Sequence, residues 1–258
     1  ASDEFQGRKP FTKGDTLTVQ YIEQQFKALG LTPGNGDSYF QEVPMVEIAS
    51  TPVEKTLTFT GKQGTLTANY LSDYVMGSRR LQEKVNVDQS ELVFVGFGIV
   101  APEYQWNDYA DLDVKGKTVV VMVSDPGRYD KTLFKGDTMT YYGRWIYKFE
   151  EAAKQGATGV LLIHDTQAAS YGWNVVRTGW SAPQLDLISP DNGASLAAFE
   201  GWLSAETTTK LFKLGGVDPA VMEQAKKKGF KAVPLNVKTS VAINNKFRKS
   251  SSNNVIAK

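Results

Sequence analysis

The side chains of this sequence best suited to chemistry are a single histidine and the aspartate that follows it. His164 and Asp165 end an apolar segment, residues 159–163, and the chain contains no Cys and no other His. Ligands often bind at the carboxyl ends of parallel strands, so a metal-binding or catalytic imidazole is one interpretation. A catalytic zinc is normally held by three protein groups, however. We therefore expect His164 to be a hydrogen-bonded structural residue, with a functional role as the alternative.

Three aspartates close together, Asp108, Asp111 and Asp113, could supply oxygen ligands to a calcium ion. Their spacing does not follow the D-x-D-x-D-G pattern, and no Glu stands at the twelfth position of such a loop. The pattern favours a turn whose carboxylates are solvated or cap backbone amides. We predict no metal ligand in this chain.

Catalysis by a serine nucleophile would need an activated serine, a base and an orienting acid. Ser181 lies in the segment GWSAP, His164 is the one imidazole, and the sequence contains no G-x-S-x-G motif. The acidic residues are scattered, and the sequence alone cannot pair them into a two-carboxylate site. We predict no catalytic residue, and a self-sufficient hydrolase of another kind remains an alternative that a peptidase and esterase screen would test.

Aromatic and arginine side chains concentrate between residues 141 and 180. Rigid rings and a planar guanidinium lose little entropy on binding, so this composition suits a recognition surface. The alternative is that the rings pack the core, which we predict for Trp145 because it shares a helix face with Phe149. The candidates for a recognition surface are Tyr141, Tyr142, Arg144, Trp173 and Arg177.

Composition and charge narrow the function classes. The chain is 41% hydrophobic and 22% charged, which is ordinary for a globular protein. Lys and Arg number 29 against 28 Asp and Glu, so charge gives no reason to expect nucleic acid or an anionic membrane as partner. No apolar run approaches the roughly 20 residues that span a bilayer. The absence of Cys excludes disulfides and thiolate chemistry without fixing the compartment.

The first 48 residues predict one helix and one strand. Asp15 can cap a helix over residues 16–29, and its apolar residues repeat at helical spacing. Residues 40–48 alternate weakly as a strand. Because one helix and one strand cannot form a core, this stretch needs further structure to pack against. The helical stripe consists of Leu17, Tyr21, Ile22, Phe26 and Leu29.

The middle of the chain predicts a sheet with flanking helices. Residues 57–61 and 64–71 alternate around a Gly-Lys-Gln-Gly turn, which indicates an antiparallel hairpin. Residues 92–100, 118–123 and 159–163 are apolar strands, and a helix over 144–155 favours parallel pairing through a right-handed crossover. Residues 190–229 look helical, with helices starting after Ser204 and Asp218. Residues 234–243 predict a strand, a polar turn follows, and Asn254 begins one more strand.

Three segments together resemble a known family. Residues 92–123 (LVFVGFGIVAPEYQWNDYADLDVKGKTVVVMV), 139–165 and 170–184 resemble the protease-associated domain inserted in di-zinc (co-catalytic) aminopeptidases. Residues 2–33 resemble the helix that begins the peptidase domain of that family. The segment SSNNVIA near the end of the chain is similar to the strand just before its metal-binding stretch. The match covers nearly the whole chain in the order of the family.

The resemblance implies an α/β (α+β) fold and a hydrolytic parent enzyme. In this family two zinc ions are held by two His, a bridging Asp, a Glu and a further acid, and another Glu is the general base. The first His and the Asp come from an H-x-D motif soon after the strand that here ends at Lys258. The chain ends before that motif, so we expect it to be inactive alone, with zinc bound in the intact parent.

We accordingly predict three parts. Residues 1–48 begin the peptidase domain, residues 49–232 form a protease-associated lid with a β-rich core and flanking helices, and residues 233–258 return as strands to a truncated peptidase domain. The predicted function is that of a fragment of a secreted or periplasmic zinc aminopeptidase, whose lid shapes access of peptide substrates. A non-catalytic, receptor-like or peptide-binding module is the alternative. Expected partners are the missing C-terminal peptidase domain or, through uncovered surfaces, a second copy of the fragment.

Overall fold

Strands and helices alternate along the chain in a mixed α/β fold. The structure is a computed structural model that describes residues 2–258, and within that range it contains twelve strands and six α-helices. The strands are β1 (Phe40–Pro52), β2 (Thr56–Gly61), β3 (Gly64–Asn69), β4 (Tyr74–Gly77), β5 (Lys84–Phe94), β6 (Val100–Ala101), β7 (Trp106–Asn107), β8 (Thr118–Met122), β9 (Gly159–Ile163), β10 (Gln184–Leu187), β11 (Phe199–Leu203) and β12 (Val233–Val255). The helices are α1 (Lys13–Ala28), α2 (Trp145–Lys154), α3 (Thr166–Ala169), α4 (Trp173–Ser181), α5 (Ala205–Leu214) and α6 (Val221–Gln224).

The chain forms two compact units. The first contains the residues up to Ile48 together with Gln184–Pro190 and Phe247–Lys258. The second contains Ala49–Pro183 and Asp191–Lys246. We assigned residues 233–258 to strands that return to the first part of the chain, whereas residues 233–246 group with the second unit because β12 pairs there with β5 and β2.

Four parallel strands form the centre of the second unit. Strands β5, β8, β9 and β11 lie side by side in that order, and the register pairs Val93 with Val119 and Val119 with Val160. The predicted parallel pairing of β8 and β9, on either side of α2, is confirmed. Strand β4 adds antiparallel to β11, and β12 adds antiparallel to β5. The predicted hairpin is also confirmed, since β2 and β3 pair across the turn between Gly61 and Gly64.

The two faces of this sheet bury different residues because side chains alternate along each strand. One face packs on α2 and α4 through Phe149 and Val176, with Val121 and Leu162 from the sheet. The other face packs on the β2–β3 hairpin and α5. Its buried side chains include Phe59, Phe94, Val120, Leu161, Phe199, Leu211 and Phe212. Each face therefore has a hydrophobic core of its own.

Several predicted boundaries were wrong. The strand predicted over 92–100 ends at Phe94, since Gly96 and Gly98 have positive φ angles of 59° and 60° and turn the chain. The polar segment after residue 243 continues β12 instead of turning, and its Asn245 side chain is buried and donates to the carbonyl oxygens of Arg80 and Gln82.

The region 190–229 is also less helical than predicted. It contains the buried strand β11, which pairs with β9, and helix α6 is four residues long. Helix α5 agrees with the prediction, and the Ser204 hydroxyl accepts a bond from the amide of Thr207 at its start. In the part of the chain that the structure describes, no helix is long and apolar enough to cross a membrane.

The first unit contains α1 and a small sheet in which β1 lies between β10 and the last part of β12. The hydrophobic side chains that are buried among its described residues are Tyr39, Val46 and Ile48. The helical stripe, which we expected to need further structure to pack against, is covered only in part, because Tyr21 is 52% exposed and Leu29 is 74% exposed. This unit therefore presents apolar side chains to solvent.

Candidate functional site

The candidate site lies where the parallel strands of the second unit end. The carboxyl ends of β5 and β8 meet at one edge of the sheet, which is the edge where α/β proteins commonly bind ligands. The chain leaves β5 into the segment 95–109 and leaves β8 into the segment 124–144. These two segments carry most of the polar and aromatic residues of interest.

Asp108 holds the segment after β5. Its side chain is only 3% exposed, and it accepts bonds from the amide of Ile99 at 2.9 Å and the indole Nε1 of Trp106 at 2.8 Å. Burial raises the pKa of Asp108 to about 7, while these donors act in the opposite direction. Of the three aspartates considered for calcium, this one is therefore a buried loop anchor.

Asp125 holds the segment after β8 in the same way. It is 1% exposed, and Oδ1 accepts from the amide of Gly127 at 3.1 Å. Its Oδ2 accepts from the amide of Thr140 at 2.8 Å and from the hydroxyl of the same residue at 2.6 Å. One carboxylate thus ties together the two ends of the loop between residues 126 and 140.

Lys148 lies in the interior of the same region. The side chain, on α2, is fully buried, and its Nζ has no hydrogen-bond partner among residues 2–258. The hydroxyl of Tyr109 is likewise buried without a partner in the described chain. Burial lowers the pKa of Lys148, and the charges of Asp108 and Asp125 oppose that change. Sequence reasoning missed this lysine, because the buried helix face was predicted from Trp145 and Phe149 and a lysine is rarely buried without a partner.

Rings from both segments and from α2 form what we call the aromatic cluster. Tyr104 and Phe134 stack with centroids 4.5 Å apart, and Trp106 meets Phe134 at 5.5 Å. Tyr142 meets Tyr147 edge-on at 5.1 Å. The members of the aromatic cluster are Tyr104, Trp106, Phe134, Tyr141, Tyr142 and Tyr147. Such edge-to-face contacts fix the rings relative to one another.

The outer rings of the aromatic cluster are held by carboxylates. The Tyr142 hydroxyl donates to Glu103 at 2.6 Å, and the Tyr141 hydroxyl donates to Glu150 at 2.9 Å. The bond to Glu103 raises the pKa of Tyr142 to about 12 and lowers the pKa of Glu103. The Tyr141 ring is 58% exposed, so it offers a positioned aromatic face to solvent.

The predicted recognition residues separate into two groups. Tyr141, Tyr142 and Arg144 are brought together at the start of α2, where the Arg144 side chain is exposed. Trp173 lies on α4, where its Nε1 donates to the carbonyl of Leu71 at 2.8 Å. Arg177 is exposed on the same helix.

Trp145 does not fill the core position expected of it. Its side chain is 43% exposed, and its ring contacts Phe149 and Trp180 at the surface end of α2. The helix buries Lys148, Glu151 and Ala152 on the adjacent face instead. The expectation of a core Trp145 was therefore wrong, although Phe149 on the same helix face is fully buried.

His164 has a structural environment. It is 4% exposed, its Nε2 lies 3.1 Å from the carbonyl oxygen of Tyr171, and its ring lies 5.5 Å from that of Trp173. A carbonyl oxygen only accepts, so Nε2 carries the proton. Burial lowers the pKa of His164, which disfavours a charged imidazolium. Asp165 instead caps α3 by accepting from the amides of Gln167 and Ala168.

The remaining sequence candidates for metal binding or catalysis have ordinary partners. Asp113 accepts from the amide of Lys115 at 2.9 Å, and Asp111 lies 4.0 Å from the Lys231 ammonium at the surface. The Ser181 hydroxyl donates to a backbone carbonyl three residues earlier. Over residues 2–258 no group of three or more His, Cys, Asp or Glu side chains comes together in a way that could hold a metal ion.

A separate groove of about 500 Å³ lies among β2, β5 and β12 in the second unit. Its polar side chains include Ser240, which donates to Asp88 at 2.8 Å and accepts from the amide of Gln89 at 3.0 Å. Because these groups satisfy one another, the groove offers fewer fixed contacts to a ligand than the aromatic cluster does.

Comparisons with known proteins give a structural likeness but no sequence match. No protein-family model matches the chain, and no curated protein matches it. Among solved structures, the chain is similar to an aminopeptidase from Aneurinibacillus sp. strain AM-1, with 20% sequence identity and a TM-score of 0.41. The likeness covers 99% of this chain and 46% of that protein, so the chain spans about half the length of that aminopeptidase.

Proposed function

We propose that this chain is the substrate-access part of a zinc-dependent aminopeptidase. In this proposal the second unit is a protease-associated domain, and the first unit begins the peptidase domain. The proposal is supported by the resemblance of residues 92–123 and 139–165, which both fall within the second unit. These residues also contribute all members of the aromatic cluster except Phe134.

The observation that carries the proposal is the anchored pair of the exposed Tyr141 and the partly buried Tyr142. Both rings are packed on Tyr147, and both hydroxyls are bonded to carboxylates, so little entropy is lost when a ligand contacts them. Ring faces of this kind bind peptide backbones and apolar side chains at interfaces. Arg144, Trp173 and Arg177 remain candidates for the same role.

The uncovered apolar side chains of the first unit give a second support. Tyr21, Leu29 and Leu187 are 52%, 74% and 62% exposed, and exposed apolar groups in one small unit suggest a partner surface. We propose that the rest of the peptidase domain covers them in the intact enzyme. In the chain alone the same surface would favour self-association.

The zinc site belongs to that further polypeptide in this proposal. The described residues of this chain do not fit a zinc centre, because they bring no three ligating side chains together. In the intact enzyme two zinc ions would activate water for attack on the first peptide bond. We assign no step of hydrolysis to residues of this chain.

The proposal can be tested by kinetics on the full polypeptide that contains this chain. Tyr141→Ala and Arg177→Ala would be compared with wild type on several peptides, and Lys62→Ala, an exposed residue in the β2–β3 turn, is the control. We expect a roughly fivefold loss of kcat/KM for Tyr141→Ala, mostly as a higher KM, since about 1 kcal/mol of uniform binding is removed. Unchanged kcat/KM for both variants across all peptides would count against the substrate-access role.

A receptor-like or peptide-binding module is the second candidate, because the anchored tyrosines could bind peptides without any hydrolysis. Titration calorimetry with the same peptides distinguishes the two. Binding by the full polypeptide without release of N-terminal residues would favour the receptor. We also propose a secreted or periplasmic location, which cell fractionation would check.

A further inference from the structure

The most unusual group outside the surface described above is the Lys148 ammonium. The side chain is fully buried on α2, and its Nζ lies 5.8 Å from the Phe97 ring centroid and 5.9 Å from that of Tyr147. No oxygen of the described chain lies within hydrogen-bond distance of it. A buried ammonium without a direct partner is costly, because the water that solvated it is not replaced.

Two buried carboxylates from different loops interact electrostatically with this ammonium. Asp108 belongs to the segment after β5, and Asp125 belongs to the segment after β8; both act electrostatically on Lys148. Each carboxylate is already bonded to donors of its own loop, so each is held in a fixed position. Tyr109, Tyr147 and Glu151 are further ionisable side chains that share this interior.

Packing does not explain a lysine at this position. A methionine has a similar length and would fill the same space between the Phe97 and Tyr147 rings without burying a charge. What methionine cannot do is attract Asp108 and Asp125 at the same time. The distinguishing property of Lys148 is therefore its charge, placed between two loops that contribute rings to the aromatic cluster.

We propose that Lys148 is a positioning residue that draws the loops after β5 and β8 onto α2 and so fixes the aromatic cluster. The inference rests on the proposed function, in which this cluster contacts peptides. Tyr104 and Trp106 come with the first loop, and Phe134 and Tyr142 come with the second. Lys148 itself contacts no substrate and acts through the two aspartates.

Amide hydrogen exchange on the 258-residue chain tests the proposal without any assay of hydrolysis. The variant is Lys148→Met, and the control is Lys213→Met, the same change at an exposed position on α5. We expect exchange to become about tenfold faster at the amides of Gly127 and Thr140, as expected for losing an attraction of one charge pair. Exchange in β9 and the unfolding midpoint should stay as in wild type or improve.

Exchange at the wild-type rate at the amides of Gly127 and Thr140 in Lys148→Met would overturn the proposal. So would a uniform rise in exchange throughout the second unit together with a lower unfolding midpoint, because that result means that the lysine only packs the core. If Lys148→Met does not fold, Lys148→Gln takes its place and is judged by the same criteria. Failure of both variants to fold would also refute a positioning role.

Kinetic measurements on the full polypeptide distinguish failure of the positioning role from failure of the proposed function. If the proposed function holds, Lys148→Met raises KM severalfold and leaves kcat unchanged, while Lys213→Met changes neither. If the polypeptide hydrolyses nothing, the proposed function fails while the exchange result still decides the positioning role. An unchanged KM together with faster exchange at the amides of Gly127 and Thr140 would refute the inference that Lys148 affects substrate binding.

Discussion

The strongest test of the architecture around the aromatic cluster is the removal of the Asp125 carboxylate. In Asp125→Ala the amides of Gly127 and Thr140 lose their acceptor, and the hydroxyl of Thr140 loses its partner. Asp125 is 1% exposed, so water does not readily replace these bonds. Each unsatisfied buried donor costs about 1–3 kcal/mol, and we expect a total loss of about 4 kcal/mol. This corresponds to a fall in Tm of about 10 °C for a domain of this size.

Asp165→Ala is the matched control for this prediction. Asp165 also accepts two amide bonds, from Gln167 and Ala168 at 2.8 Å each, but it is exposed and caps the short helix α3. Its loss should cost about 1 kcal/mol, as for other N-caps. Thermal and urea unfolding measure the loss of stability in Asp125→Ala and in Asp165→Ala. If Asp125→Ala were no more destabilising than Asp165→Ala, the reasoning from buried acceptors would be refuted.

Three further predictions concern other parts of the second unit. Glu103→Gln should bring the pKa of Tyr142 down from about 12, because the hydrogen bond to the Glu103 carboxylate is the largest cause of the raised pKa. Titration of tyrosine absorbance in the near ultraviolet measures this change. A curve identical to that of wild type would mean that the bond is absent. Gly215→Ala should destabilise the chain by about 3 kcal/mol in urea unfolding, because a Cβ there overlaps the carbonyl oxygen of Leu235. Burial lowers the pKa of His164, so the unfolded chain binds this proton at a higher pH than the folded chain does, and stability falls as pH drops below about 6.5. His164→Gln should make stability depend less on pH between pH 7 and 5. An equally steep fall in stability for the variant would argue against this reasoning.

Local patterns in the sequence predicted those strands that pair with a strand close to them in the sequence. The hairpin of β2 and β3 follows from alternation around a four-residue turn, and β8, α2 and β9 follow from apolar runs separated by one amphipathic helix. The continuous strand β12 was not predictable in this way. Its polar second half looks like a turn, and only pairing with distant strands makes it extended.

The candidate site was predictable only in its exposed part. Tyr141 and Tyr142 could be named from composition, because aromatic residues near a helix start are visible in the sequence. The buried polar groups could not, since Asp108, Asp125 and Lys148 lie on three separate elements and become buried only when these pack together. Periodicity alone also could not indicate that Lys148 is buried while Trp145 lies at the surface.

The measurement that tests the central claim most directly compares the 258-residue chain with the full polypeptide that contains it. Both are incubated with unblocked peptides, with added zinc and then with a chelator, and release of N-terminal amino acids is followed. The account predicts chelator-sensitive release by the full polypeptide and none by the chain alone. Aminopeptidase turnover by the chain alone with tightly bound zinc, or no zinc-dependent release by the full polypeptide, would contradict it.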